Sequence, residues 1–163
     1  MNMPPRPLPR SHPAWWISCA GGIGLASKAP GTWGSLAALP PSYLIATALS
    51  PEALLVAALA VAAIGFAAVR AYLGHTDGRE DPQEIVIDEV AGQMLALSLL
   101  PPNFLAYAGG FLLFRLFDIV KPFPAGLIDA RLGGAAGVML DDTVAGVYAL
   151  AAMLLAVFLA GQL

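Results

Sequence analysis

Four long stretches without a charged residue constrain this chain more than any other feature of its sequence. They cover residues 29–51, 53–69, 90–114 and 143–163, and they are 23, 17, 25 and 21 residues long. These lengths are close to the roughly 20 apolar residues with which an α-helix crosses the hydrocarbon core of a bilayer. We therefore predict an all-α integral membrane protein, a multi-helix bundle with about five apolar helical segments.

The composition supports this class and excludes others. Hydrophobic residues make up 58% of the 163 residues and charged residues only 12%, against about 25% charged in an ordinary soluble domain. A chain this apolar does not stay disordered, and a length of 163 residues is typical of one domain rather than two. We predict a proline-rich leader at residues 1–13 and a single membrane-embedded domain at residues 14–163. The net charge of -3 offers no basic stripe for nucleic acid, and no protein partner is predicted.

The 25-residue run contains Pro101-Pro102 near its middle. Because a double proline interrupts helical hydrogen bonding, we predict two short helices, at residues 88–100 and 103–121. They form a hairpin that is re-entrant if its helices are too short to span. The hairpin returns the chain to the side on which it started, so the carboxylates at 88 and 89 share a face with Arg115. With the N-terminus inside, all eight Lys and Arg residues then lie on the cytoplasmic side, as membrane proteins prefer.

Two other helix starts carry signals. Pro51 and Gly74 predict a helix from Pro51 to about Tyr72. Residues 30–35, Pro-Gly-Thr-Trp-Gly-Ser, precede another apolar helix, with Thr32 expected as its N-cap. The free amides of this helix start, together with Lys28, Thr32 and Ser35, would suit a phosphate group. The alternative is a capped helix without a ligand, and this motif alone does not separate the two.

Three acidic motifs lie at the boundaries of the apolar runs, and their members are Asp88, Glu89, Asp118, Asp141 and Asp142. Any single pair is explained by helix capping. Capping does not explain Asp118, which is near a predicted helix C-terminus, or the expected convergence of all three motifs. Glu89 shares a helix face with Gly92, and Asp142 shares one with Gly146. Since glycine permits close helix approach, these spacings predict that the acids meet.

The chemistry of the set predicts metal-assisted phosphoryl transfer at a membrane surface. Carboxylates without imidazole or thiolate partners favour Mg²⁺ or Mn²⁺ over zinc. Arg115, Asp118 and Lys121 follow one another at three-residue intervals, and the two cations suit a phosphoryl group. The alternative is a buried network of ion pairs. Because the chain has no Cys-x5-Arg loop, Asp-x-Asp motif or catalytic histidine setting, we expect a metal-activated water or an aspartate as the nucleophile.

Four motifs, in order from about Gly21 to Gly146, resemble those of the phosphatidylglycerophosphatase A family. They are residues 30–35, residues 85–89 with Gly92, residues 114–118 with the Lys-Pro-Phe-Pro of 121–124, and residues 141–146. The resemblance implies an all-helical, multi-pass enzyme of the bacterial inner membrane that requires Mg²⁺. Such an enzyme removes the terminal phosphate of phosphatidylglycerophosphate to give phosphatidylglycerol. Residues 133–137, Gly-Gly-Ala-Ala-Gly, depart from the pattern by an alanine where another glycine is expected.

The resemblance implies functional roles for the following residues: Asp88, Glu89, Arg115, Asp118, Lys121, Asp141 and Asp142. We expect one or two Mg²⁺ ions on the five acids, and phosphoryl oxygens on Arg115 and Lys121 with help from Lys28, Thr32 and Ser35. One alternative is a phosphatase that acts on another lipid monophosphate, because such an enzyme needs the same groups. An ion-coupled transporter also clusters carboxylates, but near the membrane midplane. A structural subunit does not explain why the acids are there. A CDP-alcohol phosphotransferase is disfavoured because the Asp-Gly-x2-Ala-Arg signature of that class is absent.

Overall fold

The computed structural model describes residues 8–76 and 82–161, except for the side chains of residues 128–130. Its helices are α1 (Pro13–Ser18), α2 (Pro30–Ala48), α3 (Pro51–Leu73), α4 (Ile87–Leu97), α5 (Phe104–Val120), α6 (Ala125–Arg131) and α7 (Gly134–Leu159), with a 3₁₀ segment at Ala20–Leu25. The described residues contain no strand, so the predicted all-α class is confirmed. The first seven residues of the predicted leader lie outside the described part.

Two of the described helices, α3 and α7, are long and apolar enough to cross a membrane. About five such segments were predicted, and that number is not confirmed. Helices α4 and α5 are too short to span, because they have 11 and 17 residues and a span requires roughly 20.

Helix α3 forms as its end signals predict. The Ser50 hydroxyl accepts a hydrogen bond from the Ala53 amide at 3.1 Å, Pro51 occupies the first helical position, and Gly74 caps the C-terminus. The Ser50 hydroxyl satisfies a backbone amide that a helix start otherwise leaves without a partner, and at the other end the Gly74 amide donates to the Arg70 carbonyl at 3.3 Å.

The break in the 25-residue run is also confirmed, and helices α4 and α5 flank it. Ser98 is extended and Leu99 has a φ of 63°, so the chain leaves the helix before Pro101. It re-enters at Asn103, whose side chain accepts a hydrogen bond from the Ala106 amide at 2.9 Å. The N-terminus of α4 and the C-terminus of α5 line one cavity, so the pair forms the expected hairpin.

A double proline does not always end a helix in this chain. Pro40 and Pro41 lie inside α2, which continues through them to Ala48. Prolines are tolerated inside packed apolar helices because neighbouring helices and small local changes of the backbone satisfy the groups that lose their hydrogen bonds. The pair at 101–102 differs because the chain has already left helical geometry at Ser98 and Leu99.

Two predicted helix starts are wrong. Helix α2 begins at Pro30 after Ala29, which has a φ of 48°, so Thr32 lies inside the first turn and is not the N-cap. Proline is pre-organised for the first helical position, and this moves the start earlier. Helix α7 begins at Gly134 rather than near Asp142. Asp141 and Asp142 therefore lie beyond its first turn, which excludes capping as their role.

Helix α4 is the centre of the bundle and packs against α2, α3, α5 and α7. Nine of its 11 residues are buried. Its N-terminus, which carries Asp88 and Glu89, lines the cavity at one end of the bundle. The most buried helix thus supplies two of the candidate metal ligands.

Candidate active site

A cavity of about 720 Å³ lies at one end of the bundle. The starts of α2 and α4, the end of α5 and one side of α7 form its walls. The ionisable residues that line it are Glu84, Asp88, Glu89, Arg115, Asp118, Lys121, Asp141 and Asp142. All three acidic motifs of the sequence therefore meet at one cavity, together with the two cations.

Three of the acids are close enough to share one metal ion. One carboxylate oxygen from each of Asp88, Glu89 and Asp142 lies within 4.8 Å of the others. Asp88 and Asp142 are 9% and 4% exposed. Asp88 Oδ1 and Glu89 Oε2 are buried and accept no hydrogen bond from the described part of the protein. Because buried carboxylates that are this close are costly without a counterion, the geometry fits a hard divalent cation.

Two glycines bring these acids together by letting α4 and α7 cross closely. A Cβ atom at Gly92 would lie 2.7 Å from the Asp142 carbonyl oxygen and 2.6 Å from the Phe114 ring. A Cβ atom at Gly146 would lie 2.5 Å from the Gly92 carbonyl oxygen. Only glycine fits at these two backbone contacts, so the predicted role of both residues in close helix approach is confirmed.

Arg115 lines the cavity close to Glu89, since both side chains lie against Gly31. Its guanidinium pairs with Asp118, three residues later on α5, at 2.5 Å. The same Nη1 lies 3.4 Å from the Ser35 hydroxyl, which donates to the Gly31 carbonyl at 2.9 Å. A side chain at Gly31 would overlap the Glu89 carboxylate. The start of α2 therefore orients Arg115 and leaves room for Glu89.

Lys121 and Asp141 form a second ion pair on the cavity wall. Lys121 ends α5 with a left-handed backbone, and its Nζ donates to Asp141 Oδ2 at 2.8 Å. The other oxygen of Asp141 accepts the Asp142 amide at 2.9 Å. Asp141 thus contacts a cation, whereas its neighbour Asp142 belongs to the carboxylate triad.

The charge of the lining decides what can enter. Among the described residues, six carboxylates and two cations line the cavity, which gives this part of the lining a formal charge of -4. A phosphate monoester carries negative charge as well, so it enters only together with cations. Divalent ions held by the carboxylates would provide that charge, as Mg²⁺ does where it bridges carboxylates and substrate phosphates.

The structure places the predicted phosphate-binding residues unequally. Arg115 and Lys121 line the cavity, whereas Lys28 and Thr32 are not among its lining residues. Lys28 is exposed. Ser35 is buried, and its hydroxyl accepts a hydrogen bond from the Arg115 guanidinium. The roles of these residues remain predictions, but the geometry favours the two cations of α5 over the start of α2.

Sequence reasoning missed Glu84 as a site residue. Glu84 lines the cavity, and its carboxylate accepts a hydrogen bond from the Tyr72 hydroxyl at 3.0 Å. It was overlooked because it lies in the connection before α4, without a helix boundary or a partner acid. Its position four residues before Asp88 was the available signal.

Cys19 is unsuited to nucleophilic chemistry. Its side chain is fully buried, and this burial raises the pKa of the thiol to about 11, with a further contribution from the negative charge of Glu84. The thiolate, which is the nucleophilic form, is therefore scarce at neutral pH. The described lining of the cavity instead offers carboxylate oxygens and two cations.

Known proteins resemble this chain over most of its length. The family model described as phosphatidylglycerophosphatase A matches residues 16–157. Phosphatidylglycerophosphatase A of Escherichia coli K12 is 37% identical over 145 residues, which is 86% of this chain and 81% of the relative. The Haemophilus influenzae protein of the same name is 32% identical over 149 residues, 91% of each chain. No solved structure matches the chain. The matched region includes the whole cavity lining, and the chain belongs to the phosphatidylglycerophosphatase A family.

Proposed function

We propose that this protein is a Mg²⁺-dependent phosphatidylglycerophosphatase, which hydrolyses phosphatidylglycerophosphate to phosphatidylglycerol and phosphate in phospholipid biosynthesis. Membership of the family supports the reaction and the substrate. The observation that carries the chemistry is the carboxylate triad of Asp88, Glu89 and Asp142, which shares one cavity with Arg115 and Lys121.

The side chains divide into two groups in this proposal. Asp88, Glu89 and Asp142 hold Mg²⁺, which, when bound, supplies positive charge that offsets the charge of the phosphoryl group. Arg115 and Lys121 bind phosphoryl oxygens, the first as a fork and the second as a point charge. Their ion-pair partners, Asp118 and Asp141, hold these cations in place.

The reaction is a substitution at phosphorus. A water oxygen forms a bond to phosphorus, and the bond between phosphorus and the terminal glycerol oxygen breaks. The glycerol oxygen gains a proton to become the free hydroxyl of phosphatidylglycerol, and inorganic phosphate is released. A cavity carboxylate accepts the proton that the water loses, while Arg115 and Lys121 stabilise the negative phosphoryl oxygens.

The same proposal places the protein in the bacterial inner membrane as a multi-pass protein with the cavity facing the cytoplasm. Helices α3 and α7 support membrane residence by their length and composition. The acids lie at one end of the bundle, which suits a phosphate at the level of lipid headgroups. An ion-coupled transporter is disfavoured, because its carboxylates are expected near the midplane.

Phosphate release from the purified full-length protein in mixed micelles tests the proposal. Phosphatidylglycerophosphate is supplied with Mg²⁺ or with excess EDTA, and Asp142→Asn serves as the matched inactive variant. We expect release by the wild type only with Mg²⁺. We also expect Mg²⁺ to raise the Tm of the wild type but not of the variant, because the variant lacks one ligand. Equal release by the variant refutes the proposed site, and preferential hydrolysis of another lipid monophosphate refutes the proposed substrate.

A further inference from the structure

A groove of about 420 Å³ lies between α2 and α5, and no step of the proposed reaction uses it. The described residues that line it are Leu39, Pro40, Tyr43, Asn103, Phe104 and Tyr107. The first three belong to α2, and the others belong to α5 and its N-cap. We call it the α2–α5 groove.

The lining of the α2–α5 groove suits an apolar occupant. None of the described residues that line it is charged. The Tyr107 hydroxyl donates to the Ser42 carbonyl at 3.3 Å, and the Asn103 side chain accepts a hydrogen bond from the Ala106 amide at 2.9 Å. The rings of Tyr43 and Tyr107 meet edge to face, 5.9 Å apart. Because two of the three polar side chains already have partners, the groove favours a hydrocarbon chain over an ion or a phosphate.

An exposed apolar strip on α5 connects this groove with the cavity that the carboxylates line. Phe104, Leu112 and Ile119 are eight and seven residues apart, a spacing that places all three on one face of the helix. Their exposed fractions are 87%, 66% and 71%. Phe104 lines the groove and Ile119 lines the cavity. The groove and the cavity therefore reach the surface on the same side of α5.

Helices α2 and α5 run side by side and antiparallel along this strip. Arg115 contacts Ser35 at the cavity, and Tyr107 contacts Ser42 at the groove. These contacts are seven residues apart on α2 and eight on α5, which corresponds to about 10–12 Å along the helices. The acyl chains of one leaflet extend over half of the hydrocarbon core, or about 15 Å. The groove is therefore within reach of a chain whose headgroup is at the cavity.

We infer that the α2–α5 groove binds an acyl chain of the lipid substrate while the terminal phosphate of that lipid is in the cavity. This inference rests on the proposed function and adds to it a binding site for the apolar part of the substrate. The continuity of the strip from cavity to groove favours the substrate over a second copy of the protein as the occupant. A chain too short to fill the groove loses its packing contacts there.

The test compares two phosphatidylglycerophosphates, one with two hexadecanoyl chains and the other with two octanoyl chains. Both are supplied to the full-length protein with Mg²⁺ in micelles of the same detergent, and kcat/KM is measured for each. We expect the wild type to favour the hexadecanoyl lipid by about tenfold, at the lower end of what apolar pockets discriminate. The octanoyl chain has half the length and does not fill the groove.

Two variants change the groove itself. Leu39→Trp fills it, and Tyr43→Ala removes part of its wall, so in both the ratio of kcat/KM for the long lipid to that for the short lipid falls towards one. Val56→Trp is the matched control. Val56 is 67% exposed on α3 and lines neither the groove nor the cavity, so this variant keeps the wild-type ratio.

The outcomes separate this inference from the proposed function. Equal kcat/KM of the wild type for the two lipids, or a wild-type ratio in either folded groove variant, overturns the inference, because other lipids or a second copy of the protein then cover the groove. Hydrolysis of neither lipid by the wild type overturns the proposed function itself. If Leu39→Trp does not fold, Tyr43→Ala decides the question, since it removes a side chain that is 47% exposed and introduces no overlap.

Discussion

The crossing of α4 and α7 gives the sharpest prediction, which concerns Gly146→Ala. A Cβ atom at this position would lie 2.5 Å from the Gly92 carbonyl oxygen, whereas ordinary contact begins at 3.4 Å. The two helix backbones must therefore separate by about 0.9 Å at this point. The acids of α4 lie one turn from Gly92, and Asp142 lies one turn from Gly146, so the carboxylates move apart with the helices.

The magnitude follows from the tolerance of a metal site. Ligand distances in such sites hold to about 0.2 Å, and Mg²⁺ demands oxygens at about 2.0–2.1 Å. A displacement of roughly 1 Å at a reacting centre costs on the order of a hundredfold in rate. Forcing an extra methyl group between packed helices also costs about 1–3 kcal/mol of stability. We expect kcat to fall about a hundredfold and the Mg²⁺ concentration for half-maximal activity to rise.

The assay measures kcat, the Mg²⁺ dependence and Tm for Gly146→Ala and two alanine controls. Gly74→Ala meets its nearest atom at 3.5 Å at the end of α3 and is expected to behave as wild type. Gly109→Ala, between α5 and α7, meets the flexible end of Met153 at 2.9 Å, so a side-chain movement relieves it. Wild-type kcat and Mg²⁺ response in a folded Gly146→Ala variant would refute the reasoning.

Three further predictions address the cation, the thiol and the topology. Arg115→Lys replaces a guanidinium, which can bind two oxygens at once, by an ammonium group that acts as a point charge. We expect kcat/KM for phosphate release to fall about tenfold to a hundredfold, and an unchanged value would exclude the two-point contact. Because burial raises the pKa of Cys19 to about 11, the thiol stays protonated at pH 7, and treatment with N-ethylmaleimide leaves the activity intact; inactivation would show that Cys19 is not the buried, unreactive thiol described above. In a Cys19→Ala background, Ser27→Cys reacts with a membrane-impermeant thiol reagent from the cytoplasmic side and Leu49→Cys from the opposite side. Labelling of both from one side would contradict the proposed orientation.

Local signals accounted for much of the fold because each acts within a few residues. Ser50, Pro51 and Gly74 define both ends of α3 through backbone hydrogen bonds and a restricted φ. The break at Pro101-Pro102 and the cap at Asn103 define the hairpin in the same way. Once the hairpin is established, the acids of α4 and the cations of α5 must lie at one end. The convergence of the motifs was therefore predictable without any tertiary contact.

Tertiary packing decided the features that local signals misjudged. The same dipeptide, Pro-Pro, follows the end of α4 at one place and lies inside α2 at another, because the cost of two lost hydrogen bonds depends on what surrounds them. Helix α7 extends back to Gly134, although the charged pair at 141–142 resembled a helix start. Hydropathy runs do not locate a helix end when the helix continues into a polar cavity.

The sequence by itself determined that the five motif acids share a cavity with Arg115 and Lys121, and the tertiary structure alone decided how they pair within it. Asp141 and Asp142 are adjacent in the chain, yet one contacts Lys121 and the other joins Asp88 and Glu89. Likewise, Glu84 belongs to none of the acidic motifs, and only the structure shows that it lines the cavity, with the Tyr72 hydroxyl donating to its carboxylate. The physical reason is that ion pairs and metal ligands are chosen at distances of 3–5 Å. At that scale the crossing of α4 and α7 at Gly92 and Gly146 sets which oxygens meet.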